Sequence, residues 1–350
     1  MKAIHRTVCT PLICSFKRVW LAVLAIVAIH FTAFSQDIHF SQFDQAPFNL
    51  NPALTGNFDG QYRFIGNQRS QWRSVTEPYR TTGLAVDGKN VGAQQVHGGI
   101  SLFHDQAGDS RLRNTIIQLS AAKEFALNAD KSTVLVPGIS LGITSMRIDY
   151  SALQYDNQWN GLSYDPLLDP GESFARSSRA YFNLNAGAIV QHKWEGGRKL
   201  TAGLAFFNLS SPRQSFFDDG YVRLDPRINL HATWIEPINA QWQVWPSMLV
   251  MTQGKYREWD LGGTAHYIIS PKPYLFRAIY AGMYYRTRDA GFVVAGVRFD
   301  EWNVGLSYDI NTSGLRPASA GRGGFELSVI YIMAPKPTSG PIRKVCPDYI

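Results

Sequence analysis

The sequence predicts an all-β protein: a transmembrane antiparallel β-barrel of about 14 strands (12–16), with a plug-like N-terminal segment and a periplasmic C-terminal tail. Apolar residues occupy every second position in runs of about ten between residues 61 and 333. In one run, polar or small residues separate Trp302, Val304, Leu306, Tyr308 and Ile310. A period of two indicates strands with one apolar face, and repeated strands without intervening helices must close or stack to cover their edges.

Residues 1–35 have the features of a cleaved secretory signal peptide. The apolar stretch at 19–34 follows four basic residues, Lys2, Arg6, Lys17 and Arg18. Ala33 and Ser35 stand where a signal peptidase reads small residues, so we expect cleavage after Ser35. The alternative is a membrane anchor, but the stretch is short for a spanning helix and His30 interrupts it. No later stretch could form a spanning helix, whereas a closed barrel satisfies its backbone between strands, so the cell outer membrane is the expected location.

Removing this signal changes the charge and cysteine balance. It carries four of the 34 basic residues and no acidic ones, which leaves 30 basic against 27 acidic residues, a net charge of +3. The basic character is therefore poor support for a nucleic-acid partner, and none is expected. Cys9 and Cys14 leave with the signal, so Cys346 remains without an intramolecular disulfide partner.

Two segments of the mature chain do not follow the alternating pattern. Residues 36–58 are too irregular for a strand and too apolar for a free linker, so we expect them to pack into the periplasmic mouth or the lumen. A barrel of about 14 strands is too wide for wall side chains alone to fill, which makes this segment the candidate plug. Residues 334–350, rich in proline and basic residues, are expected to form the periplasmic tail.

Residues 59–333 are expected to form the barrel. The predicted strands are 61–69, 81–87, 96–105, 113–124, 134–147, 179–192, 199–209, 226–236, 241–252, 256–268, 275–287, 290–299, 301–310 and 322–333. Most of them are long enough to cross a bilayer when tilted, whereas strands of soluble sandwiches are shorter. If the chain enters from the periplasm, the long connections 148–178, 210–225 and 311–321 all fall on the outside. Aromatic residues near strand ends predict interfacial girdles: Trp72, Trp194, Trp242, Trp245, Trp259 and Tyr331.

No pattern of residues supports an enzyme, a cofactor or a metal site. Gly138, Ser140 and Gly142 match the nucleophile-elbow spacing, but they lie inside an alternating strand rather than at a strand–turn–helix junction. The histidines show no metal-ligand spacing. The turns at 105–109 and 218–220 could hold calcium, but a solvated turn is the preferred interpretation.

The ends of the mature chain resemble the PorP/SprF family of type IX secretion system outer-membrane proteins of the Bacteroidetes. The resemblance rests on five short motifs: Phe40-Ser41-Gln42, Asn51-Pro52-Ala53 with Gly56, Arg69-Ser70-Gln71-Trp72, Gly323-Gly324-Phe325-Glu326 and Cys346-Pro347. The N-terminal set is the more specific one, and the middle of the chain is similar mainly in character. The resemblance implies a non-enzymatic barrel that assists secretion or surface attachment of partner proteins such as gliding adhesins.

The expected partners are therefore outer-membrane lipid, type IX secretion components, a secreted cargo protein and a periplasmic partner of residues 334–350. Asn51-Pro52 favours an extended turn and Gly56 a tight bend. Arg69 and Trp72 lie near the outer end of the first strand, where they either support the fold or grip a loop or partner. The alternative function is a passive porin or solute channel, which rests on the predicted width and on polar lumen positions such as Asn183, Asn185, Asn229, Thr233, Asn303, Ser307 and Asp309.

Overall fold

The computed structural model describes residues 37–71, 77–91, 95–172, 175–217, 219–272, 275–313 and 321–333. Predictions for the signal peptide, Trp72 and the tail with Cys346 and Pro347 therefore lie outside the described residues. The described part of the chain forms one sheet of fifteen antiparallel strands. They are β1 (Tyr62–Gln71), β2 (Tyr79–Gly88), β3 (Val96–Ala107), β4 (Leu112–Lys123), β5 (Phe125–Ala126), β6 (Thr133–Arg147), β7 (Ser178–Lys193), β8 (Lys199–Phe207), β9 (Arg227–Pro237), β10 (Trp242–Gln253), β11 (Tyr256–Lys272), β12 (Leu275–Arg286), β13 (Ala290–Phe299), β14 (Trp302–Asn311) and β15 (Arg322–Met333).

All fourteen predicted strands are confirmed, and the additional strand is the two-residue β5, which pairs with β6. The largest difference in length is at β11, which was predicted to end at residue 268 and continues to Lys272. A register shift between Ile268 and Ser270 explains it, because a bulge breaks the alternation on which the prediction rests while the pairing with β12 continues.

The sheet closes on itself as a barrel. Strand β1 pairs with β15, with Tyr62 opposite Met333, and β4 pairs with β6. Each of the fourteen long strands therefore has a partner on both sides. Closure removes the free edges that an open sheet of this size would expose.

The outer face of the wall is apolar and the inner face is polar. On β6, the outward Leu141 is 60% exposed and Ile139 54%, whereas the inward Ser140 is 4% exposed and Thr144 1%. The same alternation places apolar side chains outside along the other long strands. An apolar exterior and a polar interior are typical of a barrel wall that faces lipid.

The three longest connections lie at one end of the barrel, which also carries the short turns 108–111, 254–255 and 287–289. We call the other end the short-loop end; β1 begins there and β15 ends there. At the opposite long-loop end, the three longest connections join β6 to β7, β8 to β9 and β14 to β15. These correspond to the three connections predicted to share one side. Among the described residues, no helix is long and apolar enough to span a membrane.

The aromatic residues near strand ends do not all face outward. Trp194, Trp242 and Trp259 are 40–49% exposed on the outer face. Trp245, which we predicted to join a girdle, instead faces the lumen, where its ring stacks on His266 at 4.1 Å and lies 4.6 Å from the Arg298 guanidinium. That prediction is wrong because both faces of β10 carry apolar residues, so the sequence alone does not distinguish inward from outward positions there.

Candidate functional site

Residues 38–58, here called the N-terminal segment, contact inward-facing side chains on all sides of the barrel. The segment forms a 3₁₀ turn at Phe43–Gln45, a short helix α1 at Pro47–Leu50 and a second 3₁₀ turn at Pro52–Leu54. Pro47 and Pro52 each begin a helical turn, where a missing N–H costs nothing. Because each turn ends within one revolution, the chain changes direction repeatedly and meets wall residues from distant strands.

Apolar side chains of the N-terminal segment join three buried clusters with the wall. Phe40 and Phe48 pack with Ile65, Phe103 and Ile330 on β1, β3 and β15. Phe43 and Leu50 pack with Leu249, Tyr284 and Phe292 on β10, β12 and β13, and Ala53 packs with Val136 and Ile189 on β6 and β7. The apolar core of the molecule therefore lies inside the barrel, between this segment and the wall.

A buried ion cluster lies where the N-terminal segment approaches the long-loop end. It consists of Ser41, Arg69, Glu258, Asp260, Arg286, Asp309 and Glu326, and all seven residues are buried. These residues come from the segment and five strands: β1, β11, β12, β14 and β15. Two guanidinium groups face four carboxylates in this cluster. Charges removed from water persist only when they are paired and hydrogen-bonded, so the cluster depends on each of its partners.

The hydroxyl of Ser41 connects the two arginines. It donates to Asp309 Oδ1 at 2.7 Å and accepts from Arg286 Nη2 at 2.9 Å. Arg69 Nη1 also donates to the Ser41 hydroxyl oxygen. Arg69 Nη2 lies 2.8 Å from Asp309 Oδ2, and its Nη1 lies 3.1 Å from Glu326 Oε2. This small residue of the N-terminal segment thereby completes a network that spans three strands.

Glu326 holds the backbone of the N-terminal segment directly. Its carboxylate accepts the N–H of Ser41 at 2.8 Å and the N–H of Gln42 at 3.0 Å. The Gln42 side chain returns a hydrogen bond to the backbone oxygen of Glu326 at 3.3 Å. Hydrogen bonds to an ionised acceptor are stronger than neutral ones, so this pairing fixes the start of the segment against β15.

Arg286 carries the second half of the ion cluster. Its Nε lies 3.2 Å from Asp260 Oδ1 and 3.5 Å from Glu258 Oε1, and its Nη1 lies 3.2 Å from Asp309 Oδ2. The same Nη1 also contacts Asp289, which is partly exposed in the turn between β12 and β13. The guanidinium therefore balances carboxylates from β11 and β14 together.

The two glycines before Glu326 make room for this arrangement. A Cβ on Gly323 would lie 2.3 Å from the backbone oxygen of Asp309, and one on Gly324 would lie 3.0 Å from the Gln71 side chain. The pairing of β14 with β15 shifts register between Tyr308 and Ile310 at the same place. Glycine lets the two strands come close at the bulge that presents Asp309 to the cluster.

Asn51 anchors the middle of the segment to the wall. Its side-chain oxygen accepts the N–H of Ala53 at 2.9 Å, and its side-chain nitrogen donates to the backbone oxygen of Ala188 at 3.2 Å. The same nitrogen lies 3.1 Å from Nε2 of His231. A Cβ on Gly187 would lie 2.2 Å from the Asn51 side chain, so the wall needs glycine where this residue reaches its backbone.

Gly56 turns the chain toward β1 at the short-loop end. Its φ of +73° favours glycine, and a Cβ there would lie 2.5 Å from the His97 side chain. Its N–H donates to Asp87 Oδ2 at 2.7 Å, and that carboxylate also pairs with Arg63. Arg63 in turn donates to the backbone oxygen of Leu54 at 3.0 Å. The segment is therefore fixed near both ends of the barrel.

The structure brings together most of the motif residues singled out in the sequence. Phe40, Ser41, Gln42, Asn51, Pro52 and Gly56 lie in the segment, and Arg69, Gln71, Gly323, Gly324 and Glu326 lie on strands at the ion cluster. For Arg69 the sequence left open a supporting role or a grip on a partner. Its side chain is 1% exposed and is bound on three sides, which favours the supporting role.

Sequence reasoning missed several residues that hold the segment or complete the ion cluster. Arg286, Glu258, Asp260 and Asp87 were not named, although each is a charged residue on the inward face of a strand. Arg227 was also missed; its Nη2 donates to the Asn49 backbone oxygen at 3.0 Å. Charge at inward positions of a predicted barrel strand is the signal that could have identified them, because an inward charge needs a buried partner.

The positions considered for catalysis and metal binding have structural contacts. Ser140 lies inside β6, and its hydroxyl accepts from the Asn185 side chain at 2.8 Å. Asp105 accepts from the Thr81 hydroxyl at 2.6 Å, and Asp218 is outside the described residues. Within the described ranges, no group of three or more His, Cys, Asp or Glu side chains is arranged to hold a metal ion.

Replacing Gly138 by valine is expected to displace the middle of the N-terminal segment. A Cβ at this position would lie 2.5 Å from the backbone of Ala53, which cannot yield without moving the 3₁₀ turn. We expect a loss of about 1–3 kcal/mol in unfolding free energy and faster protease cleavage of the segment. Urea titration followed by gel mobility measures the unfolding free energy, and mass spectrometry of the digest measures cleavage of the segment. Gly291→Val is the control, because a Cβ there has its nearest neighbour at 4.0 Å; equal behaviour of both variants would contradict the prediction.

Comparison with known proteins gives one family match and several similar barrels. The family model described as "Type IX secretion system membrane protein PorP/SprF" matches residues 32–331. No curated protein is significantly similar to the chain.

Three of the similar solved structures are two toluene transporters and CdiB. The Ralstonia pickettii toluene transporter TbuX is 12% identical, with a TM-score of 0.47 over 80% of this chain and 91% of that chain. The Pseudomonas putida toluene transporter TodX is 12% identical, with a TM-score of 0.45 over 81% and 93%. CdiB from Escherichia coli is 11% identical, with a TM-score of 0.40 over 77% and 63%.

Proposed function

This chain belongs to the PorP/SprF family of type IX secretion system membrane proteins, and from that premise we propose that it is a non-catalytic outer-membrane barrel that assists the secretion or surface attachment of a partner protein such as an adhesin. The observation that carries the proposal is the family match across nearly the whole barrel together with the anchored N-terminal segment. Two motif residues of the family resemblance, Arg69 and Glu326, are among the residues that hold this segment, through Ser41.

The contacts of the N-terminal segment weigh against the alternative of a passive porin. A solute channel needs an open lumen, whereas this segment packs apolar side chains against the inner faces of β1, β3 and β15 and of β10, β12 and β13. Hydrogen bonds and ion pairs also hold it near both ends of the barrel. These contacts favour a barrel that presents surfaces to protein partners over one that conducts solutes.

The experiment that tests the proposal is deletion of the gene followed by quantitative proteomics of the cell surface and the medium. We expect at least one type IX substrate to be lost from the surface, either retained inside the cell or shed, and to return when the intact gene is supplied. Abundance of the other type IX barrels serves as the control for general damage to the envelope. Normal secretion and attachment of every type IX substrate in the deletion strain would contradict the proposal.

A further inference from the structure

The connection 148–177 at the long-loop end presents two leucines that have almost no contact with the rest of the protein. Leu162 is 91% exposed and Leu167 is 92% exposed. They belong to residues 155–168, which we call the loop tip. Trp159, 58% exposed, adds a third apolar side chain to this tip. The strand β7 that follows begins only at Ser178, so the loop tip lies outside the strands that form the wall.

The loop tip is a folded unit held by one buried side chain. Gln158 is 6% exposed, and its side-chain oxygen accepts from the backbone N–H of Tyr155 at 3.2 Å and from the Tyr164 hydroxyl at 3.1 Å. Its side-chain nitrogen donates to the backbone oxygen of Leu168 at 3.1 Å. Trp159 and Tyr164 also form a β-bridge. The fold of the tip thus holds both leucines outward while burying an amide at its centre.

The backbone beside each leucine is fixed as well. The N–H of Leu162 donates to Asn160 Oδ1 at 3.0 Å, and the N–H of Leu167 donates to Asp165 Oδ1 at 3.0 Å. A preformed apolar contact loses less conformational entropy on binding than a mobile one. Exposed leucines on an ordered turn are therefore suited to insert into a partner's pocket.

The connection that carries these leucines is predominantly acidic. Against one basic residue, Arg176, residues 148–177 contain five acidic residues: Asp149, Asp156, Asp165, Asp169 and Glu172. Asp149 pairs loosely with Arg111 at 3.9 Å, and the other four make no ion pair with the described part of the chain. Such a surface repels the phosphates of anionic lipid headgroups, and it attracts Lys and Arg side chains.

We propose that the loop tip is a docking site for a protein segment that carries apolar side chains flanked by lysine or arginine. This inference rests on the proposed function and adds the surface and the chemistry of the partner. Leu162 and Leu167 supply the buried contact, and the surrounding carboxylates select a basic partner and speed its approach. An apolar centre with a charged rim is the usual composition of a specific protein interface.

The test supplies loop variants to the deletion strain and measures the surface level of the partner protein that is lost in that strain. Leu162→Asn with Leu167→Asn removes the apolar contact, and Asp156→Lys with Glu172→Lys reverses the charge without removing a backbone hydrogen-bond acceptor of the tip. We expect each pair to lower the surface level of that partner about tenfold while barrel abundance and heat-modified gel mobility stay unchanged. Leu127→Asn, on an exposed leucine in the connection before β6, is the matched control and should have no effect.

The outcomes separate the inference from the function on which it depends. A deletion strain with normal secretion and attachment overturns the proposed function. A deletion that affects a partner, together with loop variants that restore it fully, overturns only the assignment of the loop tip. Loss of the partner with the leucine pair but not with the charge-reversal pair overturns the basic chemistry assigned to it. If a purified loop variant shows altered heat-modified mobility, Gln158→Ala replaces it, because this change removes the hydrogen bonds at the centre of the tip and leaves both leucines in place. A wild-type surface level of the partner with Gln158→Ala counts against the proposal.

Discussion

Replacing Arg286 by alanine is expected to cost about 3–5 kcal/mol of unfolding free energy, because it leaves buried carboxylates without their cation. Asp260 and Glu258 have no other basic partner among the described ion pairs, and Asp309 would keep only Arg69. Ser41 would lose one of the two guanidinium donors to its hydroxyl. The loss therefore extends from the wall to the N-terminal segment.

The measurement is a urea titration of the folded barrel in detergent or lipid, read by the mobility difference between folded and heated samples. Arg198→Ala is the control, because Arg198 pairs with Glu236 at 2.8 Å but is 56% exposed, and surface pairs contribute less than about 1 kcal/mol. A midpoint for Arg286→Ala as close to the wild type as that of the control would show that water or rearrangement replaces the buried cation.

A second comparison tests whether Asp260 is a carboxylate that loses its partner when Arg286 is removed. Asp260→Asn combined with Arg286→Ala removes one uncompensated charge, so the double variant should recover part of the loss. Additive destabilisation would instead mean that the two residues act independently, in conflict with the 3.2 Å contact between them.

The barrel wall was predictable from sequence because its signal is local. Alternation along 301–310 or 179–192 reports which side chain faces lipid within a single strand, and closure follows from the absence of intervening helices. The exceptions occur where the local signal is weak: β10 carries apolar residues on both faces, and β11 continues through a bulge.

The candidate site was only partly predictable because its contacts are long-range. The motifs around Ser41, Arg69 and Glu326 were visible as unusual residues, but Ser41 and Glu326 are separated by 285 positions, and no local pattern states that they bond. Arg286 and Asp260 were missed, because nothing local in the sequence pairs them with each other or with Ser41. A charged residue on an inward strand face indicates that a partner exists, whereas only the closed barrel shows which one it is.

Removing residues 38–58 is expected to convert the barrel into a conducting pore. These residues pack apolar side chains against inward-facing residues of β1, β3 and β15 and of β10, β12 and β13, and a barrel of this size cannot fill its interior from wall side chains alone. In planar bilayers the shortened protein should show stepwise currents at least about tenfold above the intact protein. A synthetic peptide of residues 38–58 should lower the current again, because Glu326, Asp87 and Arg227 still offer its hydrogen-bond partners, and a scrambled peptide should not. Heat-modified mobility identifies preparations in which the shortened barrel has folded. If the folded variant conducts no more than the intact protein, another part of the chain closes the lumen, and the N-terminal segment stabilises the wall without sealing it.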